Sequence, residues 1–298
     1  MARAIFYDRL PTEQRHPRSA ALDRLTPQRL LQLMSREDAR AIHAVRRQHP
    51  QIVRAIRLIA QRLRGGGRLF FLGAGTSGRL GVIEAAECPP TFHTPPSMVQ
   101  AIIAGGRGAV FRSREGAEDR RVDARRAVQR RIRADDVVVG IAASGVTPFV
   151  AEGLRAARRC SAHTVLLTCH PRSAILADVR IALDVGPEVL TGSTRLKAGT
   201  ATKLALNMLT LGAMVQLGKT YGNLMVDVRP TSRKLRARAL RIIQLFARCS
   251  PREAANHLRA AHGHVKTAVV MAAHRLSYPA ARRRLAHAHG LLRRALAA

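Results

Sequence analysis

Gly73-Ala74-Gly75-Thr76-Ser77-Gly78-Arg79, set directly after the apolar run Leu69-Phe70-Phe71-Leu72, decides how this chain is read. An apolar strand that runs into glycines and then a helix brings backbone N–H groups close to an anion at the positive helix end. The spelling also satisfies G-x-G-x-x-G, so a dinucleotide is the first ligand to weigh. Such a site wants an acidic residue at the end of the next strand, about 20 residues on, for a ribose hydroxyl. The next strand here covers residues 98–104, and nothing from Phe92 to Gly108 is acidic. The loop instead sets the hydroxyls of Thr76 and Ser77 beside Gly78, where a pyrophosphate loop usually keeps its surface bare. Hydroxyl donors suit the three oxygens of a terminal phosphate monoester. The loop reads as a sugar-phosphate cradle, with NAD second.

Outward from this loop, strands and helices alternate. Residues 26–64 read as helical, with Ile42, Val45, Ile52, Ile56 and Ile59 near helical spacing, and Gly65-Gly66-Gly67 closes that region. Short apolar strands follow at 69–72, 99–103, 137–142, 164–168 and 181–185, with helices at 78–86, 114–133 and 148–159 between them. Strands this apolar belong in a parallel sheet buried on both faces. The pattern predicts an α/β fold: a doubly wound parallel sheet flanked by helices, with its site at the carboxyl ends of the strands. A long helix from about 195 to 218 comes next, then a polar loop from Tyr221 to Asp227. Beyond Ser250-Pro251, a good helix start, the pattern is short helices without strands. The expected organisation is an N-terminal helical segment at 1–64 packing on a sugar-phosphate-binding domain at 65–248, and a small C-terminal helical subdomain at 249–298.

Two further segments repeat the chemistry of the first. Ala142-Ala143-Ser144-Gly145-Val146-Thr147-Pro148 again ends a strand in a small hydroxyl-bearing loop before a helix whose first turn accepts proline. Ser144 and Thr147 are either phosphate ligands or helix caps. Thr191-Gly192-Ser193-Thr194-Arg195-Leu196-Lys197-Ala198-Gly199-Thr200 opens the long helix and adds two cations. Carboxylates are scarce. Glu84 and Glu87 lie one helical turn apart, and Cys88-Pro89-Pro90 is expected to stop the helix after Glu87. Glu115, Glu118 and Asp119 cluster after the second strand. Carboxylates in different surroundings can divide acid and base roles. Pairing with the many arginines is the plainer alternative.

Composition narrows the classes. The chain of 298 residues carries 51 lysines and arginines against 19 acidic residues, a formal charge of +32. Lysine stands at only five positions and the arginines are spread along the whole length, which reads as a solvated arginine surface rather than a specific nucleic-acid patch. With no tryptophan and 3% aromatic residues, stacking platforms for single-stranded nucleic acid are not expected. The longest apolar stretch, residues 204–217, is short of the roughly 20 needed to cross a bilayer, and no signal segment opens the chain. The expectation is a cytoplasmic protein. Cys88, Cys160, Cys169 and Cys249 are widely spaced, as reduced thiols are. The pairs His262/His264 and His287/His289 lack cysteine or carboxylate partners nearby, so neither a metal nor a cofactor is expected.

Taken together, the glycine loop through Gly81, Glu87-Cys88-Pro89-Pro90-Thr91, Glu115-Gly116-Ala117-Glu118-Asp119, the stretch from Gly192 to Thr200 and Gly222-Asn223-Leu224-Met225-Val226-Asp227 closely resemble the N-acetylmuramic acid 6-phosphate etherases. The resemblance runs in order from about Leu22 to the carboxyl end. It implies a sugar isomerase (SIS) fold, a homodimer with its site near the subunit interface, and a role in recycling bacterial peptidoglycan. The implied reaction converts N-acetylmuramic acid 6-phosphate and water to N-acetylglucosamine 6-phosphate and D-lactate. The family's two catalytic glutamates fall on Glu87 and Glu118, in either order of acid and base. Substrate binding falls to Thr76, Ser77, Gly78, Ser144, Gly145, Thr147, Ser193 and Lys197, with Arg195 as an alternative cation. One departure stands out: where the family loop reads Ala-Ala-Ser-Gly-Arg-Thr-Pro, this chain has Val146 at the arginine. The competing expectations are a non-catalytic sugar-phosphate regulator, as in the vertebrate glucokinase regulator built on similar domains, and an aldose–ketose phosphate isomerase.

Overall fold

The computed structural model describes residues 7–297. They fall into two compact units: the chain up to Ala85 with Ser97–Thr210, and Ala86–Pro96 with the chain from Leu211 onward.

The first unit is built on five strands, β1 (Leu69–Gly73), β2 (Val99–Ile103), β3 (Val137–Ala142), β4 (His163–Thr168) and β5 (Val179–Ala182). All are parallel, in the order β2-β1-β3-β4-β5. Every residue of β1 and β3 is buried, which is why these runs show no polar alternation. Around the sheet lie α1 (Pro27–Arg47), α2 (His49–Arg64), the start of α3 (Gly75–Phe92), α4 (Gly108–Phe111), α5 (Arg121–Arg131), α6 (Pro148–Arg159) and the start of α7 (Lys197–Gln216). Phe70, Leu72, Val138 and Leu166 of the sheet pack with Ala124 and Val128 of α5 and Val150 and Leu154 of α6. From β1 the chain moves outward to β2, then crosses back to β3 on the other side of β1. The crevice beyond the carboxyl ends of β1 and β3 is therefore the topological switch point, where open α/β sheets hold their ligands.

Several element boundaries differ from the sequence reading. The helical stretch 26–64 is two helices. Thr26 caps α1 ahead of Pro27, and the chain restarts at His49 with Pro50, whose missing N–H is tolerated only near a helix start. The segment 114–133 is helical only from Arg121. Gly116 adopts φ +69° and a short turn at Ala117–Asp119 intervenes, so Glu115 and Glu118 sit on a turn rather than a helix. The last strand ends at Ala182, earlier than expected.

The helix after β1 begins at Gly75 and does not stop at Glu87; it passes through Pro89 and Pro90 to Phe92. Those prolines deny hydrogen bonds to two carbonyls of the preceding turn, a cost of about 3 kcal/mol for a helix interior. Two observations account for its persistence. Cys88 and Phe92, one turn apart, are both buried and hold that turn against its surroundings, and His93 N–H closes the helix on Pro89 O at 3.0 Å. The chain then leaves through His93 at φ +51°.

The second unit holds the ends of α3 and α7 and five further helices, α8 (Arg233–Ala247), α9 (Pro251–Ala260), α10 (Val265–His274), α11 (Tyr278–His287) and α12 (Leu292–Ala297). Val226, Val228, Ile243, Leu258, Val269, Leu285 and Leu292 form its core. Ser250 and Glu253 make a reciprocal capping box at the start of α9. Among the described residues no helix is long and apolar enough to cross a membrane.

Candidate active site

β1 ends at Gly73 and α3 begins two residues later. A Cβ on Gly73 would lie 2.8 Å from Gly78 N, and one on Gly78 would lie 2.8 Å from Gly73 O, so strand end and helix start approach where no side chain fits. Thr76 and Ser77 lie in the first turn of α3 and are partly exposed. Their hydroxyls share the positive end of the helix with unsatisfied N–H groups, an arrangement suited to an anion.

Beside the loop, a cleft of about 210 Å³ is lined by Gly75, Arg79, Arg114, Glu115 and Glu118, among others. Arg79 Nε donates to Val110 O at 2.9 Å, which ties α3 to the segment after β2. Arg114 folds over Gly108, where a Cβ would meet its Nη2 at 2.7 Å. Ser113 Oγ donates to Glu115 Oε1 at 2.5 Å. The Glu118 side chain is exposed at the cleft rim, yet partial burial, then the neighbouring Asp119 and Glu115, push its carboxyl above the usual range. A carboxylate raised in this way is a better proton acceptor near neutral pH. The structure thus joins the glycine loop to the Glu115–Glu118 turn. Sequence reasoning missed Arg79 and Arg114 as cleft residues; Arg79 closes the quoted glycine stretch and Arg114 directly precedes Glu115, which was the available signal.

The second loop leaves β3, hydrogen-bonded to β1 with Ile141 opposite Gly73. Ser144 Oγ accepts from Val146 N–H at 3.4 Å. Gly145 adopts φ +73°, and a Cβ there would lie 2.7 Å from His170 Cβ and 2.9 Å from Ser173 Cβ. Thr147 occupies the N-cap position of α6, but its hydroxyl makes no capping bond. The capping alternative therefore does not describe Thr147.

The third segment meets the first: a Cβ on Gly199 would sit 3.8 Å from Thr76 Cγ2. Ser193 is half-buried and Arg195 exposed. Glu188, itself buried, accepts from Lys197 N–H at 3.3 Å and Ala198 N–H at 2.9 Å, so a protein carboxylate fills the start of α7. Lys197 departs from the sequence reading. Its side chain is 1% exposed and its Nζ donates to Glu37 Oε2 at 2.5 Å. His16 Nε2 and Arg40 Nη1 approach the same oxygen at 3.1 and 3.5 Å. An ammonium this deep must be paired, and its partner lies 160 residues away in sequence. Lys197 is engaged within the fold rather than held toward a ligand.

Glu87 lies on the part of α3 that belongs to the second unit and is exposed to solvent. Two of the histidines weighed as chelators make ring contacts instead: His264 stacks on His93 at 5.1 Å and His262 meets Tyr278 edge-on.

Comparison with known proteins agrees with this geometry. Residues 51–158 match the glucokinase regulatory protein N-terminal SIS domain. A phosphoheptose isomerase from Neisseria gonorrhoeae superposes with a TM-score of 0.50 at 21% identity, covering 63% of this chain and 98% of that one, a likeness of fold. An N-acetylmuramic acid 6-phosphate etherase from Gloeothece citriformis is 51% identical over 290 residues, 96% of this chain and 95% of its own length. One of the same name from Cutibacterium acnes is 49% identical over 288 residues, 95% of this chain and 94% of its own. With about half of all positions shared along almost the entire length of both relatives, this chain belongs to the N-acetylmuramic acid 6-phosphate etherase family.

Proposed function

We propose that this protein cleaves the D-lactyl ether of N-acetylmuramic acid 6-phosphate, giving N-acetylglucosamine 6-phosphate and D-lactate. The observation that carries this is the near full-length identity to proteins named for that activity. The cleft beside the glycine loop supports it, because it sets Gly75 of that loop, Arg79 and Arg114 together with a carboxylate of raised pKa.

An unactivated ether is a poor leaving group, and the chemistry avoids displacing it directly. Opening the sugar ring exposes an aldehyde at C1, which acidifies the C2 proton. Glu118 takes that proton, the C2–C3 double bond forms, and the C3–O bond breaks as lactate departs. Glu87 protonates the leaving oxygen and then takes a proton from the water that adds at C3, while C2 regains its proton. Thr76, Ser77, Gly78, Ser144, Gly145 and Thr147 hold the phosphate so that C2 meets the base reproducibly. Ser193, in the third segment, contributes a hydroxyl to the same binding set. The protein is further read as a cytoplasmic homodimer acting as a carbon–oxygen lyase in peptidoglycan recycling. Exposed apolar residues along α7, Met208, Leu211 and Val215, suit a face covered by a second copy.

The test is D-lactate release from N-acetylmuramic acid 6-phosphate by the purified protein and its Glu87→Gln variant. Release by the wild type, reduced about 10²–10⁴-fold in the variant, is expected of a lost general acid. Full turnover by the variant overturns the role of Glu87. Saturable binding without turnover by the wild type would favour a regulator, and an isomerised sugar phosphate with no lactate would favour an isomerase.

A further inference from the structure

A bound phosphate monoester carries nearly two charges, and hydroxyls with backbone N–H groups balance it less well than a guanidinium does. The loop after β3 supplies no cation, because its side chain between Gly145 and Thr147 is Val146. The loop after β4 lies beside it. Ala142 is paired with Thr168, so the two chains leave the sheet as neighbours. Past β4, Ser173 N–H bonds to His170 O at 3.1 Å, closing a four-residue turn with Pro171 and Arg172 at its tip. Both ends of the turn press on Gly145: the position of a Gly145 Cβ is 2.7 Å from His170 Cβ and 2.9 Å from Ser173 Cβ. Ser173 Oγ, buried, also donates to Gly145 O at 2.6 Å. The turn is therefore clamped to the phosphate loop rather than free to wander.

Arg172 is exposed and enters no ion pair or hydrogen bond among the described residues, unlike Arg68 with Asp136 or Arg125 with Glu152. His170 Nδ1 is buried without a hydrogen-bond partner among them. Burial first, then the Arg172 and Arg180 charges, hold the His170 imidazole below its usual pKa, so the fixed charge of this turn at neutral pH is the guanidinium. Resting on the etherase reading, we propose that Arg172 is the phosphate-recognising cation of this chain, delivered from the β4 turn because position 146 carries valine.

The experiment is steady-state kinetics with N-acetylmuramic acid 6-phosphate, together with inhibition by inorganic phosphate, for the wild type, Arg172→Ala and Arg172→Ala/Val146→Arg. Arg172→Ala is expected to lower kcat/KM at least tenfold through KM and to weaken phosphate inhibition by a similar factor. Restoring the cation at 146 should recover most of both. Kinetic constants within twofold of wild type in Arg172→Ala would overturn the proposal. If the wild type releases no lactate, the etherase reading fails separately. Calorimetric titration of inorganic phosphate into wild type and Arg172→Ala then decides the cation site, and equal affinities reject it.

Discussion

Replacing Lys197 with methionine separates a structural from a substrate-binding role for the cation that opens α7. Methionine keeps the length and apolar stem of lysine, so the change mainly deletes a charge at a site where both partners are at most 2% exposed. Removing one member of a buried pair leaves the other desolvated without compensation and costs about 3–5 kcal/mol. Glu37 keeps His16 and Arg40 on the same oxygen, and Arg40 is half-exposed and easily adjusted, so the lower end, about 3 kcal/mol, is expected. At roughly 2–4 °C per kcal/mol for a chain of this size, the melting transition of the sheet-bearing unit should fall by roughly 6–12 °C. Although burial opposes it, Lys197, His16 and Arg40 hold the Glu37 carboxyl below its usual pKa. A depressed folded pKa stabilises above the unfolded value and is lost as pH falls through the folded one. The wild-type advantage should therefore be full at neutral pH and shrink on acidification below about 4.5. Differential scanning calorimetry from pH 3.5 to 7.5 reads both effects. A Glu37→Met/Lys197→Met double variant should recover stability relative to the single change, because a paired apolar replacement removes both desolvated charges. A Lys197→Met protein with unchanged melting and a selectively raised KM would refute this reasoning and return the lysine to the substrate.

Two further outcomes follow from the site. In the proposed role as base Glu118 must be ionised, so kcat/KM should fall on the acid side with an apparent pKa above the ordinary glutamate value; Glu118→Gln should remove that limb and about 10²–10⁴ of the rate, read from pH–rate profiles of lactate release. Gly145→Ala forces a side chain into a left-handed backbone whose Cβ would lie 2.7 Å from His170 Cβ, so a loss of about 1–3 kcal/mol by urea unfolding is expected, with phosphate inhibition weakened. An alanine variant with wild-type stability and inhibition would show that the two turns are not clamped.

What the sequence disclosed was local. The strand–glycine–helix unit at 69–79 carries its instructions within a dozen residues: an apolar run, glycines at close approaches, hydroxyls at the helix start. The same locality made the second loop and the helix start at Ser250-Pro251 readable. What stayed hidden depended on distance along the chain. The partner of Lys197 is 160 residues upstream, so its type alone suggested a ligand where the fold has an ion pair. Pro89 and Pro90 argued for a helix end, a local rule overridden by the burial of Cys88 and Phe92 and by the His93 N–H bond to Pro89 O. Arg79 and Arg114 were concealed in a chain where arginine is everywhere, and only the fold around Gly108 singles them out.

The excess of arginine makes the few buried carboxylates the more informative charges, because each must be satisfied within the fold. The buried ones are all committed. Glu37 is held by Lys197, Asp136 by Arg68, and Glu152 by Arg125 and Arg155. Glu188 takes the free N–H groups of α7, and Glu84 accepts from Asn207 and Thr210. Each performs the structural role that a scarce buried anion is expected to perform. Glu118, exposed at the cleft rim, fills no structural post of this kind. It is in no ion pair among the described residues, although Arg79 and Arg114 line the same cleft, and its own neighbours are acidic. A carboxylate raised in pKa gains nothing for stability by ionising, since ionising it costs more folded than unfolded. The raised pKa is what the base role proposed for it asks for.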